Sequence, residues 1–369
     1  MDSVTLAAYH RLHPIPVPGG ELYLKAGARG YGDPQYELLA QRLEPHGEAA
    51  LDLNPGIGVI SQALQTSGLP TTAIEPSRAA LRCLEQGLGT KVRILRGLPW
   101  EAPPDSSDTV GLVLPANRGT RYVELSLLGA ARALRPGGRL WISGSKDRGF
   151  ERYFKWAQEL LGYGVLLERR GAVRVAVLEK ERPTPPLGRV WEGFEAEVYG
   201  KRFAFRHLPG VFSARHLDPG SQMLLEHLPP ELDSVLDLGG GYGALSLPLI
   251  DRARAVTLVE DDWASVLSAE ASLQANALAA SVYHSDVDEA LPEGQKFAIL
   301  LANPPFHVGG LVVLETARAF LEAAQARLER GGRFYLVANR FLPYEPLLAE
   351  GFAHVRTLAE GKYKVLLAY

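Results

Sequence analysis

LDLGGGYG (236–243) decides the fold of this chain, because the chain writes it twice. LDLNPGIG stands at 51–58, and Asp52 to Asp237, Gly56 to Gly241 and Gly58 to Gly243 are each 185 residues apart. Each copy runs from a short apolar stretch into a glycine-rich turn, the pattern of a buried strand that bends sharply where a ligand can approach the backbone. The offset persists. Glu75 in AIEPS and Glu260 in LVEDD are again separated by 185, LRPGGRLWISG and LERGGRFYLVA by 194 (Gly137 to Gly331), and GAVRV (171–175) and GKYKV (361–365) by 190. A constant offset followed by small insertions indicates a duplicated unit, here far longer than any solenoid repeat. The seam is expected in KERPTPPLGR (180–189), where three prolines and few apolar residues suit a linker, giving domains 1–182 and 183–369.

Composition bounds the class. The 369 residues, 46% hydrophobic and 22% charged, are ordinary for a globular chain of two domains. A single cysteine, Cys83, excludes a disulfide framework and a cysteine-built metal site. The N-terminal stretch lacks a signal-peptide pattern, and no apolar run approaches the roughly 20 residues of a membrane span, so a cytoplasmic protein is expected. Charge is uneven: residues 1–184 hold 23 Lys and Arg against 19 Asp and Glu, while the remainder holds 16 against 23. A basic first half would favour a polyanion.

The second copy alternates strand and helix patterns. SVLDLG, AVTLVE, SVYHSD, FAILLAN and RFYLVAN read as strands. ALSLPLI, WASVLSAEASLQANAL and GLVVLETARAFLEAAQARLERGG read as helices, the last ended by Gly331 and Gly332. Continuous apolar strands alternating with helices indicate an α/β fold, a mainly parallel sheet with helices on both faces. Ligands of such sheets bind at the carboxyl ends of the strands. There stand the candidate cofactor-binding residues: Asp237, Gly239, Gly241 and Gly243 on the first turn, Glu260 and its neighbour Asp261 after the second strand, Asp286 after the third and Asn303 after the fourth. A carboxylate at Glu260 can hold both hydroxyls of a ribose, and one at Asp286 can accept from an exocyclic amine such as adenine N6. Asp286 reads equally as a surface acid at a strand end.

The fourth strand stops at ILLANPPFHVGG (299–310), because proline cannot continue a ladder. A conjugated amino group is a poor nucleophile, its lone pair delocalised into the ring. The Asn303 side-chain oxygen and the Pro304 carbonyl can each accept one of its N–H groups and stabilise charge developing on nitrogen. Pro304 and Pro305 stiffen the turn without adding a competing donor, and Phe306 offers a face for a base to stack on. His307 reads either as a contact to the base or as packing at the entry to the next helix.

D-x-G-x-G-x-G with an acid on the second strand resembles the class I methyltransferases, and N-P-P-[FY] on the fourth resembles those that methylate a planar amine or amide nitrogen. LPGVFSARHLDPGSQMLL (208–225), VLDLGGGYGAL (235–245), NPPFHVGG (303–310), ANRFLPY (338–344) and GKYKV (361–365) together resemble the bacterial small-subunit rRNA guanine-N2 methyltransferases, which modify guanine 1207 of 16S rRNA. The resemblance implies two tandem Rossmann-like class I methyltransferase domains, the first degenerate. It also implies S-adenosylmethionine as methyl donor without a metal, guanine N2 as acceptor, and ribosomal RNA, as the 30S subunit or its assembly intermediate, as partner. Asn303, Pro304 and Phe306 would lie at the base; Phe212 and the LDPGSQ stretch would help cover the cofactor, although Phe212 reads equally as core. Glu260 and Gly240 depart from the pattern, where relatives carry Asp and Cys. Four readings stay open beside it: a guanine-N2 methyltransferase of large-subunit RNA, a protein-glutamine N5-methyltransferase, an adenine-N6 methyltransferase, and an RNA-binding assembly factor without chemistry. The first copy has Asn54 and Pro55 in place of two glycines and no NPPF. It is expected to bind no cofactor, and to support the second copy or grip RNA through Arg118, Arg121, Arg148, Arg152 and Arg169. Oligomeric state is left open.

Overall fold

The structure, a computed structural model, describes residues 5–213, 215–304 and 311–369, without the side chains of 311–315. The chain divides into two units, residues 12–190 and residues 191–369, the latter joined by the N-terminal residues up to Arg11. The division falls eight residues after the expected seam, for a local reason. Residues 180–184 are still tied to the first unit: Lys180 N donates to Gly138 O (2.9 Å), Glu181 N to Leu161 O (2.8 Å) and Thr184 Oγ1 to Ala131 O (3.1 Å). Membership of residues 5–11 in the second unit was not anticipated.

Each unit contains one seven-stranded sheet, and the two sheets have one topology. In the second, Leu232–Leu238 is the central first strand, flanked by Ala253–Glu260 and then Ser281–His284 on one side. On the other side lie Phe297–Ala302, Leu328–Asn339, Tyr363–Ala368 and Val355–Glu360. The first five pair in parallel and the last two antiparallel. Residues 50–179 of the first unit repeat this order strand for strand. Val235 to Leu238 and Leu300 to Ala302 are buried without alternation, the mark of strands covered on both faces. In the first unit the two faces show as separate apolar clusters, one around Leu112, Val123 and Leu127, the other around Leu39, Ile60 and Leu64. A β-hairpin precedes each sheet, His13–Val17 with Gly20–Leu24 and Glu192–Val198 with Lys201–His207.

Strand order reverses at the first strand, so its exit and that of the fourth strand lie side by side, with Leu238 paired to Ala302. That crevice is where an open α/β sheet binds ligands. Two expected elements differ. ALSLPLI forms turns and a short 3-10 helix at Leu247–Leu249 rather than an α-helix. Pro248 supplies no N–H for an i→i−4 bond, and too few residues follow to build a helix beyond it. The helix after the fourth strand ends at Arg327, and Gly331 and Gly332 lie inside the next strand, where a register shift absorbs them. Among the described residues, no helix is long and apolar enough to cross a membrane.

Candidate active site

The glycine turn takes the conformation its residues permit: Gly239, Gly241 and Gly243 all have positive φ, at 70°, 59° and 89°. Glu260, half-buried at the end of the second strand, holds the turn from the side. Its Oε2 accepts from Gly241 N at 2.8 Å and its Oε1 from Asp262 N at 3.1 Å. Burial pushes its carboxyl up to about 7, with Asp262 and Asp261 adding to the rise and the two backbone donors opposing it. Asp237 is fully enclosed beneath the turn, where Ser246 Oγ donates to its Oδ2 at 2.7 Å. Its Oδ1 is buried with no partner among the described residues, and burial raises the group to about 7 despite the serine. The hairpin braces the turn from outside, with Tyr242 edge-on to Phe205 and Phe194. A Cβ on Gly240 would lie 2.5 Å from Leu258 Cγ, so Leu258 has taken the space that a cysteine would need.

Asn303 leaves the fourth strand half-buried, and its amide is held in one sense. Nδ2 donates to Asp218 Oδ2 and to Ser221 Oγ, both at 2.9 Å. A carboxylate can only accept, so the NH2 end must face Asp218 and the carbonyl oxygen must face the other way. Asp218 is itself fixed as the N-cap of the helix Pro219–Leu225, accepting from Ser221 N at 2.9 Å. Pro304 is buried. Pro305, Phe306 and His307 lie outside the described residues. Asp218 and Ser221 were not singled out as partners of Asn303. The signal was present in part, since Asp-Pro at 33–34 and 218–219 again stand 185 apart and both open a helix. Phe212 is 65% exposed, which removes the core reading.

Asp286 is deeply buried two residues past the third strand. Tyr9 Oη donates to its Oδ1 at 3.3 Å, and His10 Nδ1 lies 3.5 Å from its Oδ2. Asp261 is half-buried and its carbonyl meets His284 Nε2 at 2.7 Å. Among the described residues no group of three or more His, Cys, Asp and Glu could hold a metal.

The first copy reproduces the frame and fills the space. Gly56 N donates to Glu75 Oε2 (2.8 Å), Ser77 N to Glu75 Oε1 (2.8 Å) and Ser61 Oγ to Asp52 Oδ2 (2.6 Å), matching the second copy contact by contact. The enclosed aspartate is therefore part of the turn's framework in both copies. What differs lies in front of the turn. A Cβ on Gly56 would meet the Arg29 carbonyl at 2.3 Å, and Ile57 N donates to that same oxygen at 2.7 Å. A Cβ on Gly241 would meet none of the described residues within 4 Å. Open space against a glycine turn beside a carboxylate fits a ribose and its adjoining chain in the second copy. The first copy has closed that space with its own backbone. Of the arginines expected to grip RNA, three are engaged within the unit: Arg118 lies over the Tyr122 ring, Arg121 pairs with Glu124, and Arg152 bonds Tyr153.

Residues 202–367 match the family described as methyltransferase small domain. A ribosomal RNA small subunit methyltransferase C of Shewanella loihica is 34% identical over 264 residues, covering 70% of this chain and 76% of that protein. One of Pseudomonas paraeruginosa is 34% identical over 242 residues, 64% of this chain and 71% of its own. Among solved structures, the T. thermophilus 16S rRNA N2 G1207 methyltransferase (RsmC) in complex with AdoMet and guanosine is 54% identical, covers 99% of both chains and superposes with a TM-score of 0.95. The chain belongs to the ribosomal RNA small subunit methyltransferase C family.

Proposed function

We propose that this protein transfers a methyl group from S-adenosylmethionine to the exocyclic N2 of a guanine in 16S rRNA, and that the C-terminal unit does the chemistry. The observation that carries the reading is the oriented Asn303 amide at the crevice beside the open turn of Gly241. It stands in a chain 54% identical to a 16S rRNA N2 methyltransferase solved with AdoMet and guanosine. S-adenosylmethionine supplies a methyl carbon made electrophilic by its sulfonium. Glu260 and the turn of Gly239 to Gly243 hold the ribose end of the donor. Asn303 Oδ1 and the Pro304 carbonyl accept the two N–H groups of the guanine amine and stabilise the positive charge that grows on nitrogen. Phe306 stacks the base, worth ~1–3 kcal/mol where bases stack on aromatics. A guanine in a folded helix must leave its stack to reach this crevice. The substrate is accordingly the small subunit or an assembly intermediate in which the base is accessible, and the reaction takes place in the cytoplasm. The N-terminal unit serves as support and as an RNA contact, binding no cofactor.

The test uses labelled S-adenosylmethionine with small subunits, large subunits and total protein from cells lacking this gene, followed by digestion to nucleosides. N2-methylguanosine in small-subunit RNA is the expected product. N2-methylguanosine confined to large-subunit RNA, or label in protein, would refute the assignment.

A further inference from the structure

Tyr242 stands inside the glycine turn, between Gly241 and Gly243, yet its side chain leaves the turn and is 2% exposed. Its ring lies edge-on to Phe194 and Phe205 of the hairpin, with centroids 5.8 and 5.5 Å apart. The hydroxyl reaches the segment that opens the helix Pro219–Leu225. There it points at the His216 carbonyl, 3.5 Å away, and its oxygen accepts from the Asp218 N–H. Burial and the neighbouring Asp218 carboxylate hold the phenol well above its ordinary value, so it stays a neutral hydroxyl that donates once and still accepts. Asp218 extends the contact, because its Oδ2 accepts from Asn303 Nδ2 at 2.9 Å. A run of hydrogen bonds therefore links the turn to the amide through Tyr242, Asp218 and Asn303. The first copy keeps only the middle of this run. Asp33 and Ile57 stand 185 residues before Asp218 and Tyr242. Val113 follows Leu112, the partner of Leu53, as Asn303 follows Ala302, the partner of Leu238. Asp33 still caps its helix, accepting from Gln35 N at 2.9 Å, but the residues at the two flanking positions are aliphatic. The aspartate thus serves the helix in both copies, whereas the hydroxyl and the amide occur together in the copy whose turn is open.

We propose that Tyr242 is a positioning residue that sets the amine clamp in register with the methyl donor. The proposal rests on the methyl-transfer reading of this crevice. Tyr242 contributes its backbone to the turn that holds the donor and its hydroxyl to the residue that aims Asn303. The methyl carbon and the acceptor for the amine are therefore both placed relative to one residue. That matters for an in-line displacement, in which a misplacement of about 1 Å can cost ~10²-fold in rate. Without the hydroxyl the Asp218 N–H loses its acceptor, and the segment 216–218 can shift, taking with it the carboxylate that orients the amide. The role acts through Asn303, so Tyr242 itself touches neither the amine nor the methyl group.

The discriminating experiment measures single-turnover methyl transfer to small-subunit RNA by the full chain in wild type, Tyr242→Phe, Asn303→Ala and the double variant, with the S-adenosylmethionine affinity of each taken by calorimetry. Tyr242→Phe removes a single oxygen and keeps the ring against Phe194 and Phe205, so the fold is retained. Its rate at saturating cofactor is expected to fall roughly 3- to 10-fold, as the loss of one buried hydrogen bond allows, with cofactor affinity within about twofold of wild type. In the Asn303→Ala background the same substitution is expected to change the rate by less than about twofold, because the amide through which the hydroxyl acts is gone. A wild-type rate in Tyr242→Phe would overturn the proposal. So would an equal fall in both backgrounds, or a loss confined to cofactor affinity, since either would make the hydroxyl a support of the turn alone. A wild type that methylates no guanine would overturn the functional reading, and the proposal with it.

Discussion

Asp218→Ala probes how the amide clamp is aimed. Asp218 Oδ2 receives two donors, Asn303 Nδ2 and Ser221 N, each at 2.9 Å. Losing the second removes a helix N-cap, which costs about 0.5–2 kcal/mol of stability. Losing the first leaves Ser221 Oγ, among the described residues, to hold the amide, and a hydroxyl can donate as well as accept. The Asn303 amide can then turn end for end and present its NH2 to the substrate amine, donor against donor. A fully oriented acceptor at a centre of developing charge is worth about 2.7–4 kcal/mol. Partial loss of orientation should therefore cost roughly 1.5–3 kcal/mol of transition-state stabilisation, a fall of ~10- to 150-fold in kcat. Single-turnover methyl transfer at saturating S-adenosylmethionine measures it, and cofactor affinity should stay near wild type. Because Asp218 acts through Asn303, the double variant Asp218→Ala/Asn303→Ala should be no slower than Asn303→Ala alone, within about 0.5 kcal/mol. Fully additive losses, or an unchanged kcat in Asp218→Ala, would refute the reasoning.

Three other perturbations bear on different parts of the structure. Because burial lifts the Glu260 carboxyl from 4.5 to about 7, it is a full acceptor for a ribose diol only above that pH, so S-adenosylmethionine should bind more tightly as pH rises from about 6 to 8. Glu260→Gln should flatten that profile, and a wild-type affinity independent of pH would remove the diol contact. His10 is raised above its ordinary 6.5, so its stabilising contribution is full below 6.5 and is lost as pH rises through the folded value. The melting-temperature gap between wild type and His10→Ala should be widest below 6.5, where Asp288, lowered from 3.8, is still ionised, and should narrow as pH rises through the folded value of His10. Phe334 is fully buried at the start of the parallel part of the fifth strand, and Phe334→Ala should destabilise the C-terminal unit by about 3–5 kcal/mol in denaturant unfolding.

The duplicated sheet was legible because its signals are local. An apolar strand, a glycine turn and an acid 17 residues beyond the turn are short-range patterns, and their recurrence at a fixed offset carried the topology of both units. The same locality explains the misreadings. ALSLPLI has enough apolar residues for a helix, yet one proline leaves no room for a ladder of bonds. Gly331 and Gly332 resemble a helix end, but the chain had already left the helix at Arg327. The seam at 180–189 has linker composition, while its first residues are tied down by hydrogen bonds to strands and a helix of the first unit. Asp218 caps the helix Pro219–Leu225, and its second role depends on a residue 85 positions away. Likewise, Asn54 and Pro55 mark the first copy as different, but the Asn54 side chain is not what fills the space in front of its turn. That side chain meets Tyr122 Oη at 3.4 Å, and the space at Gly56 is filled by the Arg29 carbonyl.

The central claim is that one of two similar crevices carries the reaction, through Asn303. It is tested most directly by measuring S-adenosylmethionine stoichiometry and single-turnover methyl transfer to small-subunit RNA together, in wild type and Asn303→Ala. The account expects one cofactor per chain in both proteins, with similar affinity, and a rate lower by about 10²–10³ in the variant. Two cofactors per chain, or an undiminished rate in Asn303→Ala, would contradict it.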